Sequence, residues 1–427
     1  MTLAGISIAA LVVVVAVSCA TNANVGLLAI ALTWILGGWV APWLGHEAFA
    51  AKAMAGWFPA DLFLTLAGVT LLFAIAAGNG TLGLVTRAAE RLCRSRPALL
   101  PPAFFLLATA VSAAGAGNVP TAALLAAPAM AAAGRSGLSP LLMMVMVGHG
   151  AIAGTLSPVS PMGVIADEKL AAMGLAGHAG YTFGMNALVN ALVAGGAWLA
   201  LNRWRSGSPV TAVAHAAVAD HPETTSSRVA THHVATLLAI GGVVVGTVFL
   251  GMHVGFAAFT AATLLLLGGA GEERAALRTM PWGVILMVCG VSMLVALCEQ
   301  TGGLDIFSRW IAACATPRSL PAWLAGLTGL VSVFSSTSGV VLPTFLPVVP
   351  DVLGHMGGTA DPDRMLAAAT AVNVGSNIVD VSSVSTIGAL CVAACPDEAT
   401  RRVLYRQGLA WGLAMTIVGA AMCQVVL

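Results

Sequence analysis

The chain has 427 residues, 59% of them hydrophobic and 8% charged, with a formal net charge of +1. Soluble domains carry about 25% charged residues, so the composition excludes an ordinary soluble protein, and the balanced charge excludes a broad basic face for nucleic acid. Eight cysteines are scattered along apolar segments with no Cys-x-x-Cys pair. Cys391 and Cys395 read as small buried hydrophobes rather than metal ligands.

Apolar runs near the 20 or so residues needed to cross a bilayer fall at 4–21, 25–44, 61–80, 140–173 and 180–202. The first has no basic leading region and reads as a retained helix rather than a signal peptide. Asp61, just after Pro59, reads as a helix N-cap. Between the third and fourth runs, 98–134 is apolar but interrupted at GAGNVPT (115–121), and the fourth run is itself broken at SPVSP (157–161). Two apolar arms meeting at a Gly- and Asn-rich tip read as a re-entrant hairpin. Segment 203–232 is polar and reads as a flexible linker. Its histidines, His215, His221, His232 and the adjoining His233, are spaced too irregularly for a metal site.

The second half repeats the first. Runs fall at 233–251, 254–270, 280–300, 364–395 and 403–427, with an interrupted segment at 320–356 broken at SSTSG (335–339) and a broken run at NIVDVSS (377–383). At a constant spacing of 222, Pro59, Leu64, Gly68-Val69, Leu72, Ala74, Gly80 and Leu82 recur as Pro281, Leu286, Gly290-Val291, Leu294, Ala296, Gly302 and Leu304. At a spacing of 225, SPVSPMG (157–163) recurs as SSVSTIG (382–388). The fold expected is an all-α polytopic membrane protein of two inverted repeats, 1–202 and 233–427, joined by the linker 203–232. Each repeat holds five transmembrane helices and one re-entrant hairpin, the plan of a secondary transporter.

With the linker in the cytoplasm, Arg87, Arg91, Arg94, Arg96, Arg135, Arg203, Arg205, Arg228, Arg274, Arg278, Arg401, Arg402 and Arg406 face inside. Lys52, Lys169, Arg309, Arg318 and Arg364 face outside, so 13 of the 18 basic residues obey the positive-inside rule. The chain is then a multi-pass protein of the cell (inner or plasma) membrane with both termini outside. The runs LVTRAAERLCR (84–94) and DIFSRWIAACA (305–315) read as interfacial helices before each hairpin.

No HExxH, GxSxG, Walker A or GxGxxG motif stands in a usable context, and without an ATP-binding domain transport must run on a gradient. In hydrocarbon, irregular backbone survives only where it lines a cavity or is buried in protein. The hairpin tips and broken helices therefore hold the candidate site. Helix N-termini favour anions, and freed carbonyls and hydroxyls ligate Na⁺. For a small organic anion the candidates are Asn118, Thr121, Ser160, Ser336, Thr337, Ser385 and Thr386, with His149 as a buried titratable partner. For Na⁺ they are Asn118, Thr155, Ser157, Ser338, Ser376, Asn377, Asp380 and Ser382. Asp380 is the one carboxylate expected near mid-membrane, where such a group is costly and by default functional. No cofactor is expected beyond a coupling ion.

The stretch FPADLFLTLAGVTLLFAIAAGNGTL (58–82), followed by a basic arm and GNVPTAALLAAPAM (117–130), resembles the MatC-type dicarboxylate (malonate) carriers. These are similar to the ion transporter superfamily that includes the divalent anion/sodium symporters. The resemblance implies a homodimer in membrane lipid, a static scaffold, a mobile domain moving as an elevator, and two Na⁺ sites, each from a hairpin tip and a broken helix. In the symporters each tip carries Ser-Asn-Thr. Here the first has Gly117 where a serine is expected, then Asn118 and Thr121, and the second has Ser336-Thr337-Ser338 with no Asn.

The function expected is Na⁺-coupled transport of a small dicarboxylate. The alternatives are a proton-coupled or exchange carrier using Asp380 and His149 and, from another class, a membrane-embedded enzyme. An intramembrane hydrolase needs a nucleophile with a base or paired carboxylates, and Asp380 has no second aspartate at its depth. The topology is testable by thiol labelling. A cysteine at Ser226 should react only from the cytoplasm, and cysteines at Thr316 or Gly358 only from outside; same-side labelling of all three rules out the inverted repeat.

Overall fold

The computed structural model describes residues 2–21, 23–84, 97–204, 230–334, 337–357, 361–395 and 397–427. The linker over 205–229, the first basic arm over 85–96, and Ser335 and Ser336 at the second tip lie outside the described residues. The chain is an all-α polytopic membrane protein, with no strand among the described residues. Among the described residues, six helices are long and apolar enough to cross a membrane.

In the first half α1 (Leu3–Ala20) and α2 (Val25–Trp43) are followed by a short α3 (Ala51–Gly56) and by α4 (Ala60–Gly78). The hairpin is α5 (Leu100–Val111) and α6 (Asn118–Ser136). The broken span is α7 (Pro140–Gly154) and α8 (Pro161–Ala172), and α9 (Ala179–Trp204) closes the half. In the second half α10 (Thr231–Leu250), α11 (Val254–Leu267), α12 (Glu273–Thr279) and α13 (Trp282–Gln300) lead to α14 (Gly303–Cys314). The second hairpin descends as α15 (Leu320–Phe334) and returns through short turns to α16 (Val349–His355). The second broken span is α17 (Pro362–Ile378) and α18 (Thr386–Ala393), and α19 (Glu398–Val426) ends the chain.

The halves interlock through glycines. In lipid, helices associate by close packing of small residues rather than by a hydrophobic drive. Here α4 packs on α11 of the other half, and α2 packs on α13. A Cβ added at Gly68 of α4 would lie 2.5 Å from the Gly255 carbonyl oxygen, and one at Gly255 would lie 2.8 Å from the Thr65 nitrogen. Gly26 and Gly290 meet backbone against backbone in the same way. Gly68 and Gly290 are the pair related by the 222 spacing, so each half supplies the same glycine to a helix crossing with the other half. Within each half the descending hairpin arm lies on the first part of the broken span, α5 on α7 and α15 on α17. Gly150 sits against Phe105 and Ala108, and Gly375 against Ala325.

The returning arms cross over. The arm α6 packs on α18 of the second half, and α8 packs on the turns at 342–348 of the second hairpin. The first tip is thereby delivered to the second half's broken span, where Asn118 meets Asp380, whereas the second tip, through Thr337, rests on the broken span of its own half.

Two local expectations change. The N-cap of α4 is Pro59, and Asp61 instead accepts from His253 Nε2 at 2.5 Å, tying α4 to the start of α11. That partner lies 192 residues away, so no local pattern shows it. His233 accepts from the Ala230 N–H at 3.0 Å and bonds the Asn79 carbonyl at 3.1 Å, so this linker-end histidine fixes α10 to the end of α4. Among the described residues no three His, Cys, Asp or Glu side chains cluster as metal ligands. A helix forms over the second of the two basic amphipathic runs, as α14. Along α14, Phe307 stacks on Trp310, and Arg309 and His355 both pair with Asp305, holding its carboxyl below the usual range.

Gly68→Val and Gly290→Val should each lower thermal stability in detergent, since overpacking a tight contact costs about 1–3 kcal/mol. Gly195→Val, where an added Cβ meets nothing within 4 Å, should leave the melting temperature unchanged. Equal melting of all three would refute the glycine interlock.

Candidate functional site

The two breaks are built alike. After α7 ends at Gly154, the Ser160 hydroxyl donates to the Thr155 carbonyl and accepts from the Gly163 N–H at 3.2 Å, capping α8. After α17 ends at Ile378, the Ser385 hydroxyl donates to the Asp380 carbonyl at 2.9 Å. The Val159 N–H faces the Ser157 hydroxyl at 3.4 Å, and the Val384 N–H faces the Ser382 hydroxyl at 3.5 Å. In each break a serine bonds the carbonyl five residues before it in place of a lost helical bond, which is how non-helical backbone persists at membrane depth.

They differ in charge just past the helix end. Thr155 puts its hydroxyl 3.7 Å from the Met162 sulfur. Asp380 puts a carboxyl there, 2.7 Å from the Ser385 hydroxyl, and the Asn118 amide donates to its other oxygen at 3.4 Å. The Thr337 hydroxyl also faces this carboxyl, donates to the Ser376 carbonyl at 3.1 Å, and lies 2.5 Å from the Ser332 hydroxyl. One buried carboxylate thus joins both hairpin tips, from residues 118 and 337, to the second break. Among the described residues it is the only carboxylate in the buried set, which contains no Lys or Arg.

The first tip explains its own sequence. Gly115 and Gly117 have φ of 120° and 74°, a region L side chains avoid. Gly117 therefore stands where a serine is expected because the backbone turns left-handed before α6 begins at Asn118. The Ser157 hydroxyl donates to the Ala113 carbonyl at 2.7 Å, fastening the first break to this tip.

The remaining predicted residues divide. Thr121 is buried with no partner for its hydroxyl among the described residues, and the Asn377 side-chain oxygen likewise has none. The Ser376 hydroxyl bonds back to the Val372 carbonyl at 2.7 Å. Ser382 is buried, and Thr386 is exposed at the start of α18. Ser336 lies outside the described residues, and so does the Ser338 side chain.

His149 is placed apart. Trp411 donates to its Nε2 at 3.0 Å, so Nδ1 carries the proton and donates to the Asn190 side-chain oxygen at 2.8 Å. Asn190 in turn bonds the Asn186 carbonyl at 2.9 Å, and Asn186 bonds the Ile152 carbonyl at 2.7 Å. Both ring nitrogens are spent holding α7 to α9 and α19.

Sequence reasoning missed several polar groups. Ser112, Ser292, Thr344, Thr370 and both polar atoms of Asn373 are buried without a partner among the described residues. A buried polar atom left unpaired costs about 1–3 kcal/mol, and these lie on the hairpins, on α17 and on α13. The signal was present: Pro120-Thr121 recurs as Pro343-Thr344, and Thr70 recurs as Ser292 at the 222 spacing. The arrangement offers hydroxyls, amides and one carboxylate, the donor set of a site for an anion and a hard cation.

Residues 1–155 match the family model described as the dicarboxylate carrier protein MatC N-terminus. No curated protein matches the chain.

Trp411→Phe should lower thermal stability by about 1–3 kcal/mol, the cost of an unpaired buried His149 nitrogen. Any transport measured should keep its apparent substrate affinity within about twofold, well under the tenfold that 1.4 kcal/mol represents. A tenfold loss of affinity without a loss of stability would put His149 in the binding site.

Proposed function

We propose that the chain is a secondary transporter of a small dicarboxylate, coupled to a cation held at Asp380. The observation that carries this is the meeting of Asn118, Thr337, Ser385 and Asp380 where two hairpin tips reach one broken span. The match of residues 1–155 to a dicarboxylate carrier family model supports the substrate class. Among the described residues no second carboxylate or base stands beside Asp380, so a hydrolase reading gains no support.

Charge arithmetic argues for the coupling. The buried polar set of the described residues offers no Lys or Arg. Two like charges 4 Å apart repel by about 4 kcal/mol at an effective dielectric of 20. A dianion therefore enters poorly beside a bare carboxylate and well beside one that holds a cation. Na⁺ suits the surrounding oxygens of Asp380, Ser385, Thr337 and Asn118, because a hard cation prefers oxygen ligands. The N-terminus of α6, with Asn118 and Thr121, suits one substrate carboxylate. On this reading the hairpins and broken spans form a body that carries substrate and cation past the glycine-locked helices α2, α4, α11 and α13 as an elevator, with two chains forming the transporter in the cell membrane. The second break, with its carboxylate, is the tighter cation site, and the first, with Thr155 and Ser157, the weaker.

A second reading follows from the same residue. Ser385, Asn118 and Thr337 are neutral donors, and a proton on Asp380 neutralises it as a cation would. Proteoliposome uptake of labelled malonate, succinate and citrate decides between them. With Na⁺ coupling, uptake rises with external Na⁺, and Thr121→Ala and Thr337→Ala each raise the Na⁺ concentration needed. Uptake that ignores Na⁺ and follows pH selects the proton. Asp380→Asn keeps the shape without the charge and should abolish cation-coupled uptake in a protein that still purifies folded. Wild-type rate and ion dependence in that variant would reduce Asp380 to a helix cap.

A further inference from the structure

The last helix, α19, is too long for the bilayer. Its 29 residues, Glu398–Val426, run about 43 Å at 1.5 Å each, against a hydrocarbon core of about 30 Å. From Gln407 to Leu427 no residue is charged, whereas the first nine, EATRRVLYR, hold all of the helix's charges. The uncharged part fills the core, so Glu398–Arg406 stand at headgroup level.

At that level a cavity of about 460 Å³ lies between α18 and α19, lined by Val392, Val403, Arg401, Arg402 and Arg406 and by the carboxylate of Glu398. Arg402 and Arg406 are one turn apart on one face. Glu398 pairs with Arg401 at 3.4 Å and with Arg402 at 3.1 Å. Arg406 has no carboxylate partner among the described residues, and the Arg401 Nε is buried with none. Asp397 caps α19 through the Thr400 backbone N–H at 2.7 Å, which holds its carboxyl below the usual range and so charged; against Asp397 and Glu398 the three arginines still leave a net positive charge. Val403, 55% exposed, and Val392 supply an apolar wall beside the guanidinium groups.

We propose that this cavity binds the phosphate headgroup of an anionic phospholipid, with Arg402 and Arg406 on the phosphate and Val392 and Val403 against the upper acyl chain. Guanidinium groups recognise phosphate through paired N–H donors, and basic clusters next to a membrane span attract anionic lipid. A free anion would use the arginines alone and leave the apolar wall without a role. The site bears on the transport body. Gly408 and Gly412 of α19 lie against Ser383 and Ser382, three and two residues past Asp380, and the Ser383 hydroxyl donates to the Leu404 carbonyl at 3.4 Å. A headgroup that pins the start of α19 thus steadies the wall behind the second break.

Native mass spectrometry of the purified full chain tests this, with phosphatidylglycerol and phosphatidylcholine as probes and glycerol phosphate as the free competitor. The wild type should retain phosphatidylglycerol under activation that strips phosphatidylcholine. The Arg402→Gln/Arg406→Gln double variant should retain about thirtyfold less, from two surface arginines at roughly fivefold each. Glu398→Gln removes the competing carboxylate and should raise retention, a change that misfolding does not produce. Equal retention of phosphatidylglycerol by the wild type and the double variant overturns the proposal. So does displacement by millimolar glycerol phosphate, which would make this a site for a free anion. Neither outcome touches the transport reading, which rests on Asp380.

Discussion

A polar backbone group inside a bilayer has no water to turn to, and every non-helical residue there must be paid for with a protein partner. Most of this structure's distinctive chemistry follows from that constraint. The breaks after Gly154 and Ile378 persist because Ser160 and Ser385 bond back to the carbonyls of Thr155 and Asp380. The first tip persists because Gly115 and Gly117 turn the backbone left-handed and Ser157 holds the Ala113 carbonyl. The residues that satisfy the backbone are the same ones that line the site, so stability and function compete for the same hydroxyls.

That competition separates the two breaks. They share a folding pattern, yet the first is occupied by its own bonds, with Ser157 on Ala113 and Thr155 beside Met162. The second carries a carboxylate that its neighbours only partly satisfy, with the Asn118 amide at a long 3.4 Å. A duplicated architecture thus arrives at one charged centre, because a single position in the repeat reads Thr155 in one half and Asp380 in the other. The second tip differs as well: Thr337 reaches Asp380 and Ser376 together, while Thr121 keeps an unpaired hydroxyl.

Close packing supplies the rigidity against which such a site works. Gly68 on Gly255 and Gly26 on Gly290 bring helices of opposite halves to backbone contact. Such contacts do not yield to small changes, because interiors are packed near crystal density. His149 belongs to this framework. With Trp411 and Asn190 on its two nitrogens, it buttresses α7, α9 and α19 rather than facing the Asp380 centre.

What the sequence determined by itself is what depends on local pattern and on composition. The spans, both interrupted hairpins, the two broken helices and the solitary deep carboxylate are legible because hydrophobic length and Gly, Pro and Ser interruptions are written along the chain. The glycines of the interlock were visible as repeat positions, though their purpose was not. The tertiary structure alone decided the partnerships. Asn118 meets Asp380 across 262 residues, Asp61 meets His253 across 192, and His149 meets Trp411 across 262. No periodicity encodes these pairings, because they arise only when helices far apart in the chain pack together: the start of α6 against the second break, α4 against α11, and α7 against α19. The physical reason is that a span's burial can be read from its own residues, whereas the identity of a hydrogen-bond partner depends on which helix packs beside it.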